Sequence, residues 1–116
     1  MSRDYLDFFV DMLDHARQAR RFVGDSDLAA FVTDEKTAAA TIRALTVLGE
    51  AARAIPRDIR DRLPGIPWRN VIGMRHFLVH VYHGTNLAIV YATVKQSLPA
   101  LISELEATIA LLERER

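Results

Sequence analysis

The chain has 116 residues, half of them apolar, and its length fits one domain with its own core, so we expect residues 1–116 to form a single domain. With no cysteine, it has no disulfide framework, thiolate zinc site or cysteine nucleophile. Fifteen basic residues balance fifteen acidic ones, which argues against non-specific, charge-driven binding of nucleic acid over the whole surface.

Apolar residues recur at helical spacing along the chain, and no alternating strand pattern occurs. The first helix is predicted over residues 4–22, and Gly24 should keep it from continuing. A short helical piece carrying Leu28 and Phe31 follows it. A second long helix is predicted over residues 34–54, because acidic residues favour a helix N-terminus.

Gly49 lies inside the second helix, where glycine costs about 1 kcal/mol relative to alanine. We therefore expect another helix or backbone segment to approach it closely.

Residues 57–62 predict one helical turn in a connector between prolines. A third helix is predicted over residues 67–83, with Pro67 in its first turn and Gly84 after its end.

A fourth helix is predicted to begin at Asn86, which can cap it. Pro99 should kink this helix rather than end it, because the apolar period resumes directly beyond the proline. These elements predict an all-α fold, an up-and-down bundle of four to five helices.

Neither a targeting signal nor a membrane span is expected. The N-terminal segment has a charge every few residues and no apolar core. Residues 76–94 lack Asp, Glu, Lys and Arg, but three histidines and polar residues interrupt the stretch. We therefore expect a soluble, cytoplasmic protein without a membrane partner.

The third helix carries the densest polar chemistry. His76, His80 and His83 fall within about 60° of one another around a helix, and Arg75 and Tyr82 lie about 20° apart on an adjoining face. Arg75 and His80 are about 140° apart. To act on one substrate, the arginine must bend round, the last turn must be irregular, or a second subunit must complete the site. This geometry favours a dimer.

Three interpretations of these residues remain open. They could be ordinary residues of a helix surface or core edge. Alternatively, His76, His80 and His83 could hold zinc, although no acidic residue occurs between Asp61 and Glu104 to support them nearby.

The third interpretation is metal-independent cleavage of RNA. A neutral imidazole takes the proton from a 2′-hydroxyl, while a guanidinium holds the phosphate and offsets its developing charge. Arg69, Asn70 and Arg75 would form an adjacent phosphate-binding cluster, with His76 beside them.

A family resemblance supports this third interpretation. The segment Arg75-x4-His80-x-Tyr82 resembles the motif of HepT-like toxins in the HEPN superfamily, and His76 follows the arginine where that superfamily tends to carry a polar residue. The similarity extends to two further motifs, Leu48-Gly49-Glu50-Ala51-Ala52 and Ile66-Pro67-Trp68. With an N-terminal helix rich in aspartate and phenylalanine and a long C-terminal helix, the resemblance covers nearly the whole chain, and the three motifs in order make it specific.

The resemblance implies a HEPN-like bundle that forms a homodimer with a shared cleft. It implies a ribonuclease toxin that acts on RNA without metal or cofactor, with Arg75 and His80 as its catalytic pair. It also implies a partner, a minimal nucleotidyltransferase antitoxin of the MntA type, which adds AMP to Tyr82 and could form a higher assembly with the dimer. The alternative is a non-catalytic HEPN module that binds RNA or nucleotide and docks a separate nucleotidyltransferase.

The zero net charge is a cancellation between segments. Residues 1–52 carry −3 and residues 77–116 carry −1, whereas residues 53–76 carry +4, with six arginines and two aspartates. We therefore expect a local RNA site on the connector and the motif helix.

Overall fold

The computed structural model of the protein describes residues 4–81 and 86–115. Within these ranges the chain forms seven α-helices and no β-strand, which confirms the all-α prediction. A π-helical turn, Thr93–Ser97, joins the sixth helix to the seventh. The helices are α1 (Tyr5–Val23), α2 (Leu28–Thr33), α3 (Glu35–Ala54), α4 (Arg57–Asp61), α5 (Trp68–Val81), α6 (Leu87–Ala92) and α7 (Leu98–Arg114).

Aspartates begin the first three helices. The Asp4 and Asp27 carboxylates each accept a hydrogen bond from a backbone N–H of the first turn, at 3.0 and 2.8 Å. Asp34 accepts from both the backbone N–H and the hydroxyl of Thr37, at 3.1 and 2.6 Å. These bonds satisfy donors that a helix start leaves without an intrahelical partner.

The end of α1 is at the predicted glycine. Gly24 has a φ of +52°, and its N–H donates to the carbonyl of Arg20 at 2.8 Å. A residue with a side chain rarely adopts this backbone conformation, so glycine lets the chain leave the helix here.

The long helices pack around one core. Helix α3 contacts α1 on one side and α5 on the other, and α7 packs on α1, as expected for a helical bundle. Large side chains buried at these contacts include Phe9, Met12, Leu45, Leu48 and Leu105.

Trp68 anchors the start of α5. Its ring lies edge-on to Phe9, with centroids 5.9 Å apart, and its indole N–H donates to the carbonyl of Leu63 at 2.9 Å. A large apolar ring whose polar atom has a partner is well suited to fix a helix terminus. Helix α5 begins here, one residue after the predicted start.

Gly49 explains how closely α5 approaches α3. A Cβ atom built on Gly49 would lie 3.0 Å from the carbonyl oxygen of Val71 and 3.7 Å from the backbone nitrogen of Arg75. The predicted close approach is thus confirmed, and the α5 backbone makes it.

The last helical region differs from the prediction in the cap at its start and in the π turn at Thr93–Ser97. Asn86 occupies the N-cap position with a φ of +62°, but its side chain forms no capping hydrogen bond; its carbonyl instead accepts from the Ile89 N–H at 3.0 Å. The chain stays helical past Pro99, as predicted, through the π turn in which the Leu98 N–H donates to the carbonyl of Thr93. The wider turn precedes a proline that has no N–H to offer.

Candidate functional site

A groove between α3 and α5 contains the motif arginine. We call it the Arg75 groove; it has a volume of about 560 Å³. Both Arg75 and His76 are exposed on α5. The residues that line it are Gly49, Glu50, Arg53, Ile72, Arg75, His76 and Val79.

Glu50 is the acidic partner of Arg75. Its Oε1 lies 3.8 Å from Nε of Arg75, and the side chains are 47% and 53% exposed. Such an exposed pair contributes roughly 0–1 kcal/mol to stability, so the guanidinium is not locked against a ligand. Glu50 is thus a half-exposed partner of the motif arginine, not a buried one. Arg53, which sequence reasoning did not select, brings a second guanidinium to the groove.

Helix α5 is α-helical from Trp68 to Val81, so no irregular turn falls between Arg75 and His80. One of the three ways to bring these residues together is thereby removed. On a regular helix the two positions are about 140° apart. The backbone of His80 belongs to α5, whereas its side chain, Tyr82 and His83 lie outside the described residues.

Arg69 and Asn70 lie along a different groove. This α5–α7 groove has a volume of about 530 Å³ and includes Met74, Phe77 and Ile89 in its lining. Arg75 and His76 do not line it. Within one chain, the structure therefore divides the predicted cluster of Arg69, Asn70 and Arg75 between two faces of α5.

The described side chains form no metal-binding group. In that part of the chain, no group of three or more histidine, aspartate or glutamate residues could hold a metal ion. Two members of the three-histidine alternative, the His80 side chain and His83, fall outside it.

Among the helices described, none is both long and apolar enough to cross a membrane.

Comparisons with known proteins agree with the motif. The family model described as "Ribonuclease HepT-like" matches residues 12–108. The protein named "Putative RNase MJ1380" from Methanocaldococcus jannaschii is 35% identical over 104 residues, covering 90% of this chain and 95% of that protein. The protein named "Probable ribonuclease HepT" from Thermococcus cleftensis is 35% identical over 106 residues, covering 91% and 96%. No solved structure gives a significant match. The chain therefore belongs to the HepT-like ribonuclease family.

Proposed function

We propose that the protein is a metal-independent endoribonuclease that acts as a toxin, with Arg75 and His80 as its catalytic pair. The observation that carries the proposal is Arg75 itself. In a chain of the HepT-like ribonuclease family, this arginine lies exposed in an open groove, and among the described residues its guanidinium has one weak carboxylate contact, with Glu50.

The reaction needs a base and a cation beside the scissile phosphate. The neutral imidazole of His80 takes the proton of the ribose 2′-hydroxyl, and the 2′-oxygen bonds to phosphorus. The bond from phosphorus to the 5′-oxygen of the next nucleotide breaks, and that oxygen takes up a proton from solvent. Arg75 donates to the non-bridging oxygens, where charge develops. The products are a 2′,3′-cyclic phosphate and a 5′-hydroxyl.

A homodimer with a shared cleft resolves the separation of the two residues on α5. Because they lie about 140° apart on a regular helix, Arg75 of one subunit and His80 of the other would serve one phosphate. His76 would add a polar group beside Arg75, and Arg69 and Asn70 would contact RNA further along α5.

The regulator in this proposal is a minimal nucleotidyltransferase antitoxin that adds AMP to Tyr82. Seven residues separate Tyr82 from Arg75, so a continued helical period would leave the two about 20° apart. An anionic adduct there would compete with RNA for the guanidinium and block access to it.

The cleavage test uses purified protein and RNA in EDTA. We expect cleavage with 2′,3′-cyclic phosphate ends, and a loss of at least about 100-fold in rate in Arg75→Ala or His80→Ala. Arg43→Ala, at an exposed position on α3, is the matched control and should keep the activity. Full activity in both motif variants would exclude the assignment, and stoichiometric zinc in the purified protein would favour the three-histidine site.

The modification test combines the protein with its nucleotidyltransferase and ATP. We expect intact mass to rise in AMP units, and Tyr82→Phe to stay unmodified. Tyr91 offers a matched control, because its hydroxyl already donates to the carbonyl of Ser26 at 2.8 Å; Tyr91→Phe should be modified normally. Labelling of the Tyr82→Phe variant at the wild-type level would refute the acceptor.

A further inference from the structure

A second concentration of positive charge lies away from both α5 grooves. It surrounds a pocket of about 460 Å³ between the end of α1 and the π turn, extending to α7. We call it the basic pocket; it shares no lining residue with the Arg75 groove or the α5–α7 groove. Its lining includes Arg17, Arg20, Arg21 and Lys95, with the buried side chains of Val94 and Ile102 beside them.

The four cations are incompletely neutralised. Arg17 forms an ion pair with Glu106 at 2.8 Å. Lys95 donates from Nζ to a backbone carbonyl, that of Gly24, at 2.6 Å. Within residues 4–81 and 86–115, neither Arg20 nor Arg21 forms an ion pair with a carboxylate. Asp25, the acidic residue of the lining, offsets one charge and leaves the pocket positive.

A helix terminus alone does not account for this arrangement. Arg20 and Arg21 lie in the last turn of α1, where basic side chains complement the negative end of the helix dipole. The negative end of the helix is equivalent to about half a charge, which does not balance these cations once Lys95 joins them from the π turn, with its ammonium on the carbonyl after α1. Cations from two elements thus converge on one concave surface, where an anion would relieve their mutual repulsion.

We propose that the basic pocket binds backbone phosphates of the RNA strand outside the cleavage cleft. The proposal rests on the proposed function, since it assigns this RNA a second contact. Arginine forks and a lysine point charge are the side chains that hold phosphate oxygens.

The lining favours the RNA backbone over its bases. Among the residues that the structure describes, the lining contains no aromatic side chain for a base to stack on, and the ring of Tyr91 nearby is covered by the Lys95 ammonium, 5.8 Å from its centroid. Recognition by phosphate contacts is independent of sequence, so the pocket would add affinity and orientation rather than base preference.

The test measures binding separately from cleavage. A fluorescent single-stranded RNA with 2′-O-methyl groups cannot undergo attack by the 2′-hydroxyl, so its affinity can be followed by anisotropy over a range of salt concentrations. For Arg20→Gln/Arg21→Gln we expect about tenfold weaker binding and a salt slope shallower by about 1.4, because each phosphate contact to a single strand contributes about 0.7.

Two matched variants separate the pocket from total charge. Lys36→Gln/Arg43→Gln removes the same charge from exposed positions of α3 and should leave the salt slope close to that of the wild type. Arg20→Lys/Arg21→Lys keeps both charges and should keep most of the slope, which also shows that the positions tolerate substitution.

An unchanged slope in Arg20→Gln/Arg21→Gln, or an equal change in the α3 control, would overturn the inference. Binding of micromolar pyrophosphate that leaves the RNA bound would identify a free-anion site and overturn it too. Cleavage of unmodified RNA by the wild type is measured in parallel. Cleavage with an unchanged slope rejects the pocket alone, whereas the expected slope change without cleavage rejects the ribonuclease proposal alone.

Discussion

The contact between Arg75 and Glu50 suggests how the motif arginine is oriented. The carboxylate lies nearest to Nε, at 3.8 Å, and the terminal nitrogens of a guanidinium are the donors that make a fork to phosphate. Because both side chains are half exposed, the pair adds little to stability. We therefore expect Glu50 to act as a positioning residue for Arg75.

Glu50→Gln should lower kcat by about tenfold without raising KM, because misplaced transition-state donors cost rate. Removing a negative charge beside the phosphate cannot weaken RNA binding, so KM should stay constant or fall. Single-turnover cleavage over a range of RNA concentrations measures both quantities. Glu50→Asp, which keeps the charge, should recover part of kcat.

The control for this prediction is another exposed ion pair. Glu106→Gln breaks the 2.8 Å pair with Arg17, at a similar exposure, far from α5 in the chain. It should leave kcat unchanged; its effect on RNA binding is not compared, because Arg17 lines the basic pocket. Both variants should unfold within about 0.5 kcal/mol of the wild type. Equal losses of kcat in the two variants would mean that Glu50 has no special relation to Arg75.

At the scale of elements, the contact between α3 and α5 makes opposite predictions for two helical glycines. A Cβ at Gly49 would press on the Val71 carbonyl at 3.0 Å, whereas a Cβ at Gly73 meets no atom within 4 Å among the described residues. Gly49→Ala should therefore lower the free energy of unfolding by about 1 kcal/mol, because overpacking outweighs the gain in helix propensity.

Gly73→Ala is the matched substitution and should raise the free energy of unfolding by up to about 1 kcal/mol, since only the propensity term applies. Urea unfolding of the two variants and the wild type, at equal protein concentration, compares them directly. Stabilisation by Gly49→Ala would show that α5 can move away from α3, and with it the Arg75 groove.

The start of α3 predicts a dependence of stability on pH. Hydrogen bonds from the hydroxyl and the N–H of Thr37 lower the pKa of Asp34 from its usual 3.8. A group whose pKa is lower in the folded state stabilises the fold above its unfolded pKa, and this contribution disappears as the pH falls through the folded value. Asp34→Asn should keep a cap but show less loss of Tm between pH 5 and pH 3, whereas Asp61→Asn, outside a cap, should follow the wild type.

Comparison of the elements shows what local patterns can predict. Helix starts and the end of α1 were predictable, since capping aspartates and Gly24 act within one turn. A glycine inside a helix predicts that some backbone approaches it closely, as happens at Gly49. The approaching residue, Val71, was not predictable, because it comes more than 20 residues later in the chain. The π turn contains a hydrogen bond from the Leu98 N–H to the carbonyl of Thr93, five residues earlier, which local periodicity does not record.

The candidate site was predictable in its residue types but not in its grouping. The motif drew attention to Arg75 and its neighbours, whereas the division of Arg69 and Asn70 from Arg75 depends on which helices flank α5. Glu50 was recognisable only as part of a motif, and its contact with Arg75 was not, because a pair across two helices leaves no fixed spacing in the sequence.

At the scale of the whole molecule, the balanced charge conceals two positive regions. One is the segment of residues 53–76, which carries +4 and includes Arg75. The other is the basic pocket, whose three arginines come from residues 1–52, a segment with a net charge of −3, and whose lysine is Lys95. Their separation favours RNA held at discrete points over a continuous coat, so a neutral protein can still bind an RNA strand locally.

The shared cleft makes a prediction that only an assembly of two subunits can satisfy. Arg75→Ala and His80→Ala subunits should each be inactive alone, but a mixed dimer retains Arg75 on one subunit and His80 on the other. If these residues act across the interface, equal mixing with exchange should restore up to roughly a quarter of wild-type activity, because half the dimers are mixed and each keeps one intact pair. If both residues must come from one chain, the mixture stays inactive. Cleavage by the mixture, before and after subunit exchange, distinguishes the two arrangements. The Arg75→Ala protein alone, at the same total concentration, gives the background rate.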